Sequence, residues 1–267
     1  MKQIFALLIL ALSLSSCNVT ETIVFNEDGS GEFLVSYDMG DVLKQMEAQM
    51  GGGVEDDEKK EPGKKMDTLM VFSEIMEMAK DSVEALPEAN RLALEAVKDM
   101  YMKMHMDEDA GIFDFGVGMK FNSIEDLKGI QEKIKKAQSL NAQSGQVEAM
   151  KSGAPFGKFM GENSDGVVYN YTSEGFSRVT PDSELEDVDE DMDALFDPTD
   201  PSDQEFMTYF ENAFYNVKLV FPKTVKSTNI EGATISKDGK SVTYKVNWLD
   251  FIKDPQQLDI DVKFANE

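Results

Sequence analysis

The stretch TIVFNEDGSGEFLVSYDM, Thr22 to Met39, decides the fold class. TIVF and EFLVSYDM alternate apolar and polar residues, and Asp28-Gly29-Ser30-Gly31 between them carries the chemistry of a tight turn, so the segment reads as a β-hairpin. Working outward, Phe113, Phe115, Val117, Met119 and Phe121 alternate without a break and predict a further strand. VVYNYT and FSRVT flank Ser173-Glu174-Gly175 as a second hairpin. NVKLVFP, ATIS, SVTYKVNW and LDIDVKF supply strands near the C-terminus, with Asp238-Gly239 as another hairpin turn.

Helical spacing occupies the intervals. Leu69, Phe72, Met76, Ala79, Val83 and Leu86 recur at three and four, predicting a helix from about Asp67 that Pro87 ends. A second helix is expected from Glu88 to about Met106, and a third from Ile124 to Ala137 behind an Asn122/Glu125 capping box. A fourth is expected from Asp203 through Phe214. Gly51-Gly52-Gly53 with the run EDDEKKEPGKK, and residues 141–164, read as exposed loops. Strands that do not alternate with helices throughout, and helices that arrive in blocks, give an α+β class. The sheet is expected to be mostly antiparallel, with a helical-hairpin insertion over about 41–110 and further helices on one side.

Composition bounds the function classes. The chain holds 51 acidic and 26 basic residues, a formal net charge of −25. Such a field argues against nucleic acid, or anionic lipid headgroups held through a general field, as a partner, because both are polyanions. An apolar content of 41% and a length of 267 residues suffice for a sizeable core without disulfides.

The N-terminus carries a separate message. Lys2, the apolar run Ile4 to Leu12, and the small residues Ser13, Ser15 and Ser16 form a secretory signal, with an apolar run about half the roughly 20 residues a spanning helix needs. Leu14-Ser15-Ser16-Cys17 resembles the lipobox of bacterial lipoproteins. That resemblance implies cleavage before Cys17 and acylation of it, which also accounts for the one cysteine of the chain standing where it does. Residues 1–16 are then the signal peptide, and 17–267 a single α+β domain tethered by acyl chains. The resemblance further implies the outer membrane facing the periplasm, because Asn18 rather than Asp follows the cysteine. With so short a linker, the body is expected close to the bilayer.

The two ends of the body resemble the LppM-type domain of bacterial lipoproteins. The shared features are the strand-DGSG-strand opening, the strand ending in Pro222, the Thr228-Asn229 turn, and the last DGK hairpin carrying Trp248. The acidic stretches in the middle depart from that pattern. The resemblance implies a membrane-proximal α+β domain without enzymatic activity, contacting a lipid or an envelope protein; it transfers no functional residue.

The inventory for chemistry is thin. His105 is the only histidine and Cys17 is taken by the anchor, so no catalytic residue, metal ligand or cofactor is assigned. Walker, GxGxxG, HExxH and CxxC patterns are missing from the sequence. Met100, Met102, Met104, His105 and Met106 crowd into DMYMKMHMDED, a composition suited to a soft ion such as Cu(I). On a helix, Met100 and Met104 would share one face and Met102 and Met106 another, which favours core packing. Pro181 to Glu205 holds 12 acids and no base, but the EF-hand frames from Asp187 and Asp189 place Met192 or Ala194 where glycine is required. An acidic helix capped by Ser183 and Glu186 fits better. The reading that emerges is a lipid-anchored, non-enzymatic binding or scaffolding module of the envelope; the alternative is a copper- or Ca²⁺-handling protein, or an enzyme using carboxylates.

Overall fold

The computed structural model describes residues 18–40, 65–136 apart from 131 and 135, 166–181, 204 and 211–265. Within these, twelve strands form two sheets, and the α+β class holds. The larger sheet has the order β10-β11-β8-β1-β2-β5-β4-β3. Its strands are β1 (Asn18–Phe25), β2 (Gly31–Asp38), β3 (Lys65–Val71), β4 (Met100–Asp107), β5 (Ile112–Phe121), β8 (Phe214–Val220), β10 (Thr234–Ile235) and β11 (Ser241–Asn247). The smaller sheet runs β6 (Val168–Tyr171), β7 (Gly175–Val179), β12 (Ile260–Phe264), β9 (Val225–Thr228). Every described pairing is antiparallel except β1 with β8.

The hairpin of Thr22 to Met39 forms with its turn as read. Gly29 takes φ 83°, the left-handed region that glycine enters without Cβ strain. Asp28 accepts from the Ser30 amide at 3.0 Å and the Ser30 hydroxyl at 2.6 Å. The Asp238 turn repeats the device, with Gly239 at φ 71° and Asp238 accepting from the Ser236 hydroxyl at 2.5 Å. Strict alternation then places Val19, Glu21, Ile23 and Phe25 on one face of β1, all buried. The register carries that face across Val35, Phe33, Val117, Met119 and Phe121 on one side and Tyr215, Val217 and Leu219 on the other.

The smaller sheet lies against this inner face. Phe25 stacks on Tyr171 at 4.2 Å between ring centroids, and Phe176, Phe221 and Phe264 complete an aromatic block around it. Each such ring, fully buried, contributes about 1.5–3 kcal/mol by removal from water. Behind β5, a 3-10 turn (Ile124–Leu127) leads into helical residues whose Leu127, Ile130 and Ile134 are buried. Its capping box uses Ser123 and Asp126, one residue beyond the expected Asn122/Glu125 pair; Asp126 reaches back to the amides of both Asn122 and Ser123.

The insertion is the main correction. Its helices are short: α1 (Phe72–Met78), α2 (Lys80–Glu84) and α3 (Glu88–Ala96). Residues 65–71 and 100–107, expected at the outer ends of two long helices, are strands β3 and β4, which pair with each other and extend the sheet from β5. The apolar spacing of Leu69, Phe72 and Met76 suited a helix, but Met100, Met102, Met104 and Met106 alternate with Tyr101, Lys103 and His105, and pairing to β5 selected that period of two. Strand β9 lies where only a turn was expected, and Phe214 opens β8 instead of closing a helix. The segments 41–64, 141–164 and 182–203, including the expected acidic helix, lie outside the described residues. At the end of β11, α4 (Trp248–Lys253) is capped by the Asn247 side chain accepting from the Leu249 amide at 2.9 Å, and buries Trp248 and Phe251.

Candidate functional site

Cys17 lies one residue outside the described chain, and strand β1 begins at the next residue, Asn18. The register therefore defines the end of the larger sheet nearest the anchor position. Asn18 pairs with Asp38, Asp38 with Asp114, Asp114 with His105 and His105 with Asp67. His105 is half exposed in this row, its Nδ1 4.0 Å from Asp67 Oδ2. Beside it, a shallow hollow of about 290 Å³ is lined by Leu34, Ser36, Leu69, Lys103 and the glycine Gly116. Among the described residues no three His, Cys, Asp or Glu side chains converge to hold a metal ion.

The methionine tract falls on β4, so the helical argument for splitting it between faces does not apply. All four methionines share the inward face, and Met100 and Met102 are buried against Met119 and Val117. By the period of a strand Met100 and Met102 enter the core, Met104 packs against it, and Met106 is half-buried towards the strand's end. The opposite face carries Tyr101, which covers Gly118: a Cβ there would stand 2.6 Å from the Tyr101 hydroxyl. That hydroxyl donates to Glu32, and Lys103 pairs with Glu32 at 3.6 Å. Partial burial, aided by the Glu32 charge, pushes the Tyr101 phenol well above its ordinary range.

The sequence reading missed a polar centre between the sheets. Glu21 of β1 is 0% exposed and Arg178 of β7 1% exposed, with Arg178 Nε 3.6 Å from Glu21 Oε1. The Tyr169 hydroxyl donates to Glu21 Oε1 at 3.2 Å and the Tyr215 hydroxyl to Oε2 at 3.0 Å. Arg178 Nη1 donates to Asp259 Oδ1 at 3.2 Å and to the Thr180 hydroxyl at 3.3 Å, and Asp259 also accepts from the Thr180 amide at 2.8 Å. Tyr244 donates to the Leu258 carbonyl at 2.5 Å. Burial, followed by the Glu21 charge, raises the Tyr215 phenol well above its usual range. Burial of Arg178 acts to lower its value, but Glu21 opposes it and the guanidinium ends above its ordinary value. Among the buried side-chain nitrogen and oxygen atoms of the described residues, only Arg178 Nε is left without a hydrogen bond. Glu21, Arg178, Tyr169 and Tyr215 are buried, and this network ties β1 and β8 of one sheet to β6 and β7 of the other; only at Asp259, about a quarter exposed, does it reach solvent.

A solvent-facing concavity of about 750 Å³ lies on the outer face of the smaller sheet. Thr172, Ser173, Ser177 and the backbone of Gly175 line it with Lys223, Lys226 and Lys263. Gly175 is required there: a Cβ would stand 2.1 Å from the Val262 carbonyl oxygen. Lys226 owes its position to a bulge, since Lys263 pairs with Ser227 but Phe264 with Val225, leaving Lys226 as the extra residue.

No family model matches the chain, and no curated protein matches it. Among solved structures it is similar to the folded domain of Mycobacterium tuberculosis LppM, determined by NMR, at 9% identity over 94% of this chain and 91% of that chain, with a TM-score of 0.34. A likeness this loose does not establish a shared fold.

Proposed function

We propose that this chain is a lipoprotein held to the outer membrane by acyl chains on Cys17, facing the periplasm and serving as a non-enzymatic binding or scaffolding module for an envelope component. The observation that carries the reading is the Leu14-Ser15-Ser16-Cys17 pattern placed directly ahead of a strand that starts at Asn18. Among the described residues no helix is long and apolar enough to cross a membrane, so an anchor of another kind suits the chain. Each buried CH₂ of an acyl chain contributes about 0.8 kcal/mol, and more than one chain makes the attachment durable. The binding half of the reading is supported by the concavity on the smaller sheet, which has the size of a ligand site.

The test replaces Cys17 with Ser in the full chain. The wild type is expected in washed membranes with a lipid-modified N-terminal peptide by mass spectrometry, and Cys17→Ser in the soluble fraction. A Cys17→Ser protein that stays with washed membranes at the wild-type level would overturn the anchor.

A further inference from the structure

The concavity on the smaller sheet is charged against the trend of the whole molecule. The chain carries −25, yet three lysines, Lys223, Lys226 and Lys263, ring one hollow. Glu174 and Asp261 stand in the same hollow, but among the described residues none of the three lysines forms an ion pair. Lys223 Nζ donates to the Ser173 carbonyl at 3.0 Å and lies 5.9 Å from the centre of the Phe264 ring, which fixes its stem along the wall. Lys226 is brought to the hollow by the bulge, and Gly175 keeps the floor opposite Lys263 free of a side chain. Ser173 and Ser177 add hydroxyl donors, whereas the Thr172 hydroxyl is held in its own turn, donating to the Gly175 carbonyl at 3.4 Å. Ammonium groups lining one hollow of an acidic protein, together with serine hydroxyls of the same wall, are the complement of an oxyanion.

We propose that this hollow binds a soluble polyanion bearing phosphoryl groups, of a size between pyrophosphate and a nucleotide. A single phosphate would leave most of about 750 Å³ empty. The place in the fold argues for a soluble ligand over a lipid headgroup. Phe176 and Phe264, which line the hollow, belong to the aromatic block around Phe25, at the far end of β1 from Asn18. Seven strand steps separate Asn18 from Phe25, about 23 Å along the sheet and away from the position of the acyl anchor. The inference deepens the binding half of the proposed function; its lysines are remote from Cys17, so failure of the test below leaves the anchor reading standing.

The experiment is calorimetric titration of the full chain, in non-ionic detergent, with inorganic pyrophosphate at about 0.01 M and about 0.15 M salt. A saturable one-to-one isotherm is expected, weaker at the higher salt. Lys226→Gln with Lys263→Gln should weaken it at least about tenfold. Lys120→Gln with Lys218→Gln removes the same charge from the outer face of the larger sheet and should leave it unchanged. Thermal melts of both double variants verify folding, since all four side chains are exposed. Lack of a saturable isotherm, or equal weakening by both pairs, overturns the proposal. Binding to phosphatidic acid vesicles through Lys226 and Lys263 without a pyrophosphate isotherm would overturn the assignment to a soluble ligand.

Discussion

The contact between the two sheets has an aromatic end and a polar end, and they hold the sheets together by opposite physics. At one end Phe25, Tyr171, Phe176, Phe221 and Phe264 pack ring on ring. Near the other, Glu21 and Arg178 are enclosed with Tyr169 and Tyr215, and the partly exposed Asp259 pairs with Arg178 at the edge. Rings tolerate small shifts, because burial is non-directional and depends on area. A buried carboxylate and guanidinium do not, because each lost partner leaves a desolvated charge. The aromatic end thus supplies most of the net attraction, and the polar end selects one register of β7 against β1.

The sharpest way to break this comparison is to remove one member of the polar centre. Glu21→Ala leaves the Arg178 guanidinium buried without its carboxylate and should cost about 3–5 kcal/mol in denaturant unfolding. Phe176→Ala should cost a similar amount, about 3–5 kcal/mol, by cavity formation. The two part company on repair: the double variant Glu21→Leu/Arg178→Met, apolar and of similar volume, should recover most of the loss. A double variant no better than Glu21→Ala would show that the ion pair contributes more than its desolvation costs.

A smaller effect separates two tyrosines of the same interface. Tyr215→Phe deletes a hydrogen bond to Glu21 and should cost about 1.5–3 kcal/mol. Tyr171→Phe, whose ring stacks on Phe25, should stay within about 0.5 kcal/mol. Equal costs would place the two rings in the same kind of environment and dissolve the distinction between the ends.

Alkaline titration reads the same contrast without mutation. Burial raises the phenols of Tyr101, Tyr171, Tyr215 and Tyr244 above 10.0. A raised folded value means stability that is complete below the unfolded value near 10.0 and is lost as pH rises past it. Tyrosinate absorbance should therefore show the buried three, Tyr101, Tyr215 and Tyr244, ionising together with unfolding. Their smooth ionisation in a protein that keeps its far-UV circular dichroism would contradict their burial.

Much of this architecture was legible in the residues, for reasons that particular positions make plain. The two Asp-Gly turns announced themselves because φ above zero demands glycine and the aspartate bonds its own turn. The Phe113 to Phe121 alternation gave a strand whose residues from Phe115 to Phe121 are buried on one face, with Phe113 packed at its edge. The β4 strand was lost because methionine favours helices and Leu92 to Val97 ahead of it has helical spacing; only cross-strand pairing with β5 decides such a segment. The polar centre left a signal of a different kind. Glu21 falls in phase with Val19, Ile23 and Phe25, and Arg178 in phase with Phe176, so each is a charge at an inward position of a strand. One such charge is a puzzle; two of opposite sign identify each other, though the sequence alone does not say that β1 and β7 face one another.

The smallest expected effect lies at the aromatic end, where the acids belong to the exposed turns. Asp28 follows Phe25 and is held below its ordinary value of 3.8 by the Ser30 hydroxyl and amide; Asp238, two residues before the Lys240 carbonyl that bonds the Phe221 amide, is held down by the Ser236 hydroxyl. A depressed folded value contributes stability above the unfolded value and loses it as pH falls through the folded one. Both turns therefore lose their support below about pH 3.8, the value of an unperturbed Asp. Asn at both places keeps a side-chain acceptor for the turn but cannot titrate. Relative to wild type, Asp28→Asn/Asp238→Asn should melt at a lower temperature near neutral pH, and the gap should narrow as pH drops below that value. Melting curves across the acid range check it. A gap that stays constant down to acid unfolding would mean that the two carboxylates carry none of the turns' stability as charges, and that their shape alone closes the hairpins.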